Sequence, residues 1–128
     1  MEECIFCKIL SGDIPCAQVY ADEYTLSFLD IAPIAEGHTL VIPRRHWQTL
    51  WDVPPEQGER IFSVLKAVGK AVLSATQATG LNVVLNNYAS AGQVVPHAHW
   101  HLIPRFQGDG LLQVVQKKDD SQEAMQAM

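Results

Sequence analysis

A chain of 128 residues, 48% apolar and 18% charged, is long enough to bury one core, and its composition excludes a disordered segment or a disulfide-built scaffold. The formal net charge of −5 argues against a nucleic-acid partner, which generally needs a basic face, but leaves room for a small phosphorylated ligand held by local donors. The start, MEECIFCKIL, lacks the basic flank and long apolar stretch of a secretory leader, and no run is long enough to span a membrane. With three cysteines, two of them close together, the expectation is a cytoplasmic chain with reduced thiols and no membrane partner.

Residues 5–10 predict a short helix closed by Ser11-Gly12, glycine being suited to the left-handed position after a helix end. Residues 18–20 and 25–29 predict two strands, with Ala21-Asp22-Glu23 turning between them, and residues 39–42 a third strand stopped by Pro43. Asp52 precedes Pro54-Pro55, an acceptor followed by prolines tolerated in a first helical turn. From there to about Ala78, Ile61, Val64, Leu65, Val68, Val72 and Leu73 recur at helical spacing, and Gly80 ends the helix. Residues 81–85 and 97–103 read as strands four and five, separated by a polar loop over 86–93. The polar stretch 113–128 reads as a tail to a single domain spanning 1–112. Clustered strands around one long helix predict an α+β domain, an antiparallel sheet of about five strands packed on that helix.

The chemistry concentrates in His97-Ala98-His99-Trp100-His101, which holds three of the five histidines at every second position. On a strand, alternate residues share a face, so the imidazoles point one way while Ala98, Trp100 and Leu102 point into a core. Imidazole binds metal, moves protons or attacks phosphorus near neutral pH. His99 is the candidate nucleophile: one ring nitrogen attacks while the other donates to a backbone carbonyl and fixes the tautomer. His101 and His38 are candidates to hydrogen-bond the phosphate or leaving group and stabilise developing charge. Asn86 and Gln93 offer amide donors for phosphate oxygens, although Asn86 reads equally as a turn former. Asp30 suits paired sugar hydroxyls, or starts the turn before Pro33.

Cys4-Ile5-Phe6-Cys7 is the second constellation, readable as a redox pair, half a metal site or chance. A redox pair expects a strand before it, and none precedes this one. Structural zinc commonly takes two thiolates and two imidazoles, for which His46 and His97 are the candidates. Cys16, the odd cysteine, is expected to pack as a small apolar side chain.

These residues resemble the histidine triad (HIT) family, whose pattern is His-x-His-x-His followed by apolar positions. CIFCKILSGDIP, FLDIAPIAEGHTLVIPRRH and NNYASAGQVVPHAHWHLIPR all read like that family, covering Cys4 to about Arg105. The chain is most similar to its Hint-like branch of purine nucleoside phosphoramidate hydrolases and their zinc-containing bacterial relatives. The resemblance implies a HIT-like fold in which strands of two chains pair into one sheet, hence a homodimer. It implies a nucleotide hydrolase or transferase that cleaves nucleoside monophosphate esters, amides or anhydrides through a nucleotidyl-histidine intermediate on His99. It also implies ribose contacts from Asp30, a base pocket of Ile5, Phe6, Ile9, Phe28, Leu29 and Ile31, and phosphate contacts from Asn86, Gln93, His99 and His101. Structural zinc on Cys4, Cys7, His46 and His97 follows from the same likeness.

Two departures stand out. Val94 occupies a position where many members carry Ser or Thr, removing one phosphate donor, and the tail lacks the tryptophan of the animal Hint branch. Two other readings compete: a water-activating zinc held by His97, His99 and a third histidine, and a nucleotide-binding interaction module with little activity, which Val94 favours.

Overall fold

The structure, a computed structural model, describes residues 4–111; the expected tail at 113–128 lies outside them. Five strands, β1 (Gln18–Ala21), β2 (Thr25–Leu29), β3 (Thr39–Pro43), β4 (Gly80–Leu85) and β5 (Trp100–Arg105), form one sheet in the order β1-β2-β3-β5-β4. Every neighbouring pair is antiparallel. Helix α1 spans Ile5–Ser11 and α2 Pro55–Thr76. This is the expected α+β architecture.

Alternation along the central strands divides the core into two layers. Val41, Ala98, Trp100 and Leu102 pack against Ile61, Val64, Val68 and Val72 of α2. Leu26, Phe28, Leu40 and Ile42 pack with Phe6 of α1 and Cys4. Each fully buried aliphatic side chain contributes about 1.5–3 kcal/mol, so the two layers pin the sheet from both sides. Short α1 is closed by Gly12, whose left-handed φ of 87° turns its N–H back onto Lys8 and Ile9 carbonyls.

Several boundaries differ from the sequence expectation, most by one or two residues, among them β3, which includes Pro43, and β5, which runs on to Arg105. Strand β5 starts at Trp100 rather than His97, because the His97 N–H turns back to the Val95 carbonyl at 2.8 Å and the Ala98 N–H reaches Trp47 O at 2.7 Å. Side-chain alternation nevertheless persists through the stretch, with Ala98, Trp100 and Leu102 all in the α2 layer. Helix α2 ends at Thr76, where Gln77 takes a left-handed φ of 57°, and Gly80 opens β4 instead of closing the helix. At its start, Asp52 faces backward: its carboxylate accepts from the Thr49 N–H and hydroxyl, each at 3.0 Å, leaving Pro54 to precede the helix.

Candidate active site and metal centre

All five histidines fall into two adjacent clusters. In the first, the ligand atoms of Cys4, Cys7, His46 and His97 lie within 4.8 Å of one another. Cys4 sits just before α1 and Cys7 one turn on, while His46 follows β3 and His97 precedes β5. His97 Nδ1 is 3.2 Å from His46 Nδ1, 3.5 Å from Cys4 Sγ and 3.7 Å from Cys7 Sγ; Cys7 Sγ is 3.3 Å from His46 Nδ1. A tetrahedral zinc with Zn–N about 2.0 Å and Zn–S about 2.3 Å has edges of roughly 3.3 Å between nitrogens and roughly 3.5 Å between nitrogen and sulfur. The donor set therefore already stands at the spacing of such an ion. His97 Nε2–H donates to the Pro43 carbonyl at 2.9 Å, which fixes the tautomer and turns the Nδ1 lone pair toward the thiols. Burial lowers His97 to about 4, keeping it neutral. Burial, the Cys4 hydrogen bond and the Cys4 charge raise the Cys7 thiol, so thiolate formation there needs a cation.

The second cluster is a chain of imidazoles whose protons follow from their partners. His99, 6% exposed, has Nδ1 at 2.7 Å from its neighbour's carbonyl, His97 O. A carbonyl only accepts, so Nδ1 carries the proton and Nε2 the lone pair. His38 Nδ1 accepts the Ile34 N–H at 3.0 Å, which places its proton on Nε2. That proton is donated to His101 Nδ1 at 3.0 Å, leaving His101 with its own proton on Nε2. Asp30 Oδ2 lies 3.5 Å from His38 Nε2, and its Oδ1 accepts the Ala32 N–H at 2.9 Å. Burial is the main cause lowering all three rings: His101 to about 4, His99 below its ordinary value, and His38 likewise against the pull of Asp30. At neutral pH the site thus holds an uncharged ring with a free Nε2 lone pair, His99, beside an uncharged N–H donor, His101.

Asp30, His38 and His101 also lie close enough to hold an ion. The Ile34 N–H refuses it, because with that bond made the His38 Nε2 facing the group is a donor. His97 and His99 share no metal-holding group among the described residues, which counts against the water-activating zinc.

Both His99 and His101 line a cavity of about 780 Å³, within the range of small-molecule sites. Its wall includes Ile5, Phe6, Ile9, Phe28, Leu29, Asp30, Ile31 and Asn86, so ten of the candidate residues meet there. Ile31 is 98% exposed at the rim. The Phe6 ring packs in T-shaped contact with His99 at 5.0 Å between centroids and with His97 at 5.8 Å, joining the cavity to the Cys/His cluster. His38 stands behind His101 rather than on the wall. Gln93 is likewise absent from the wall: its Oε1 accepts the Tyr88 N–H at 2.7 Å and its Nε2 donates to Gln48 O at 2.6 Å.

The sequence reading missed Ile14, Pro15, Ala17, Leu40 and Val95 as cavity residues. An apolar run leaving α1 without helical or strand periodicity was the available signal for the first three. Cys16 does not pack in a core; it is exposed on the cavity wall, because the segment linking α1 to β1 runs along the opening. Val94 also lies on the wall and is 89% exposed.

The HIT domain family matches residues 11–108. Protein hit of Bacillus subtilis is 46% identical over 110 residues, 85% of this chain and 76% of that protein. The adenosine 5′-monophosphoramidase HNT1 of Candida albicans is 42% identical over 106 residues, 80% of this chain and 70% of that protein. Among solved structures, a zinc-bound histidine triad family protein from Mycobacterium smegmatis superposes with a TM-score of 0.81 at 38% identity, covering 97% of this chain and 89% of that one.

Proposed function

The chain belongs to the HIT family, and on that premise we propose that it is a nucleotide hydrolase that cleaves nucleoside monophosphate derivatives through a covalent adduct on His99. One observation carries the reading: His99 donates through Nδ1 to the His97 carbonyl while its ring borders a cavity of nucleotide size. The Nε2 lone pair attacks phosphorus, a phosphorus–nitrogen bond forms, and the bond to the leaving group breaks. The resulting imidazolium is stabilised by the His97 carbonyl, which accepts its Nδ1–H. His101 Nε2–H hydrogen-bonds the departing atom or a phosphoryl oxygen, held in that tautomer by His38. Water then attacks the adduct, the bond to His99 breaks, and the water's protons end on the leaving group and the released monophosphate.

The apolar wall fits a purine and the Asp30 carboxylate fits ribose hydroxyls. Phosphoramidates are the proposed substrates, in keeping with the named activity of the Candida relative, with dinucleoside polyphosphates the neighbouring class. Structural zinc is proposed on Cys4, Cys7, His46 and His97, supported by their spacing and by the zinc-bound relative. Bound there, it supplies a crosslink between α1 and the segments flanking β3 and β5. A homodimer is part of the same proposal, supported by strand β4, which lies at a sheet edge with Val83 exposed. The rival reading, a binding module with little activity, draws on Val94 alone. A panel of adenosine phosphoramidate, dinucleoside polyphosphate and adenylyl sulfate, with His99→Ala as control, separates them. Turnover of at least one substrate that His99→Ala abolishes supports the hydrolase; none, with nucleotide affinity intact, supports the module.

A further inference from the structure

Tyr88 has φ 73° and ψ 159°, a conformation that only glycine adopts without strain. It is one of two non-glycine residues with positive φ among the described residues, and it lies in the loop that carries Asn86, Gly92 and Val94 onto the cavity wall. Such strain persists only where the surroundings overdetermine it. Three contacts do so, and all reach across to residues 48–51. Gln93 accepts the Tyr88 N–H and donates to Gln48 O; Asn87 Oδ1 accepts the Leu50 N–H at 2.8 Å; and the Tyr88 ring stacks on Trp51 at 6.0 Å with 12° between planes. The Tyr88 carbonyl accepts from Ala91 and Gln93 N–H, closing the loop on itself. Gln93 is buried, and its Oε1 and one of its two Nε2 hydrogens are engaged within the protein.

From these contacts we infer that Gln93 is a positioning residue for the reaction, latching a strained loop onto the Gln48–Trp51 segment so that Asn86 and the Gly92–Val94 rim meet the phosphate opposite His99. Trp51, 70% exposed, is the outer half of the latch. The inference rests on the proposed hydrolase, and it gives Gln93 a role apart from the direct phosphate contact that family resemblance implies.

In Gln93→Ala, kcat for an adenosine 5′-phosphoramidate falls about 10- to 100-fold, the scale of loss from misplacement near 1 Å, while KM changes less than about threefold. Adding Tyr88→Gly to that variant recovers most of the lost kcat, because glycine holds the conformation without a clamp. Trp51→Ala, a surface change that leaves the core intact, lowers kcat by a smaller factor, and Trp51→Phe restores it. Amide exchange over residues 86–94, measured without substrate, accelerates in Gln93→Ala and Trp51→Ala. Faster exchange in a protein whose wild type has no turnover sinks the hydrolase and leaves the latch standing. Unchanged exchange, or a kcat loss that Tyr88→Gly fails to recover, overturns the latch.

Discussion

Replacing His38 by alanine isolates the part of the site that touches no substrate. His38 is buried and makes two hydrogen bonds, one from the Ile34 N–H and one to His101 Nδ1, each at 3.0 Å. Its loss strands both partners, at about 1–3 kcal/mol each, so the folded state weakens by a few kcal/mol. The catalytic effect has a different signature. Without the His38 donor, nothing forces the His101 proton onto Nε2, and the alternative tautomer presents a lone pair to the departing atom. A hydrogen bond worth about 0.5–1.5 kcal/mol shifts the tautomer by roughly 2- to 10-fold. Lost stabilisation of the leaving group adds up to about 100-fold where that group is strongly basic. Measured over a series of adenosine 5′-aryl phosphates of graded leaving-group pKa, His38→Ala steepens the dependence of kcat on that pKa: the loss is about 10- to 100-fold for the most basic leaving groups and under about threefold for nitrophenolates. His38→Gln, whose amide also accepts and donates, loses less. A uniform loss across the series, or none, refutes the relay.

Four other outcomes follow from the same geometry. Because burial holds His99 below its ordinary value and His101 at about 4, the acid limb of kcat/KM has its midpoint below pH 6.5; a half-loss at 6.5, the ordinary imidazole value, contradicts this. By linkage, the depressed His101 contributes stability that is complete above about pH 6.5 and is lost as pH falls toward 4, since only the unfolded chain takes up the proton in that window; urea midpoints rising with pH between those limits bear this out, and flat midpoints do not. Cys7→Ser loses bound zinc and lowers the thermal midpoint while His99→Ala keeps both, and equal metal content in wild type and Cys7→Ser refutes the metal centre. Val94→Ser, at an exposed rim position, raises phosphoramidate turnover about 3- to 10-fold through a new hydroxyl donor with no change in stability, and an unchanged rate shows that this position does not reach the phosphate.

Local pattern carried most of this fold. The spacing Ile61–Val64–Val68–Val72 predicts the buried stripe of α2, and the alternation of Ala98, Trp100 and Leu102 predicts which face of β5 it meets. The boundaries were harder because they depend on bonds between distant segments. No sequence window shows that the Ala98 N–H reaches Trp47, or that Gln77 takes the left-handed position where glycine is expected. The same limit applies within the site. Alternation groups His97, His99 and His101, but only the carbonyls of Pro43 and His97 and the N–H of Ile34 set which nitrogen of each ring is free. The sequence does not show that the Gln93 amide spans Tyr88 and Gln48, and Cys16 reads as core until the path from α1 to β1 puts it at the cavity.

The covalent step is tested most directly by rapid quench of the enzyme with an adenosine 5′-phosphoramidate radiolabelled at phosphorus. Within the first turnover, wild-type protein carries an acid-labile, base-stable label that maps to His99, and His99→Ala carries none. Turnover at the wild-type rate with no labelled protein at any quench time contradicts the account.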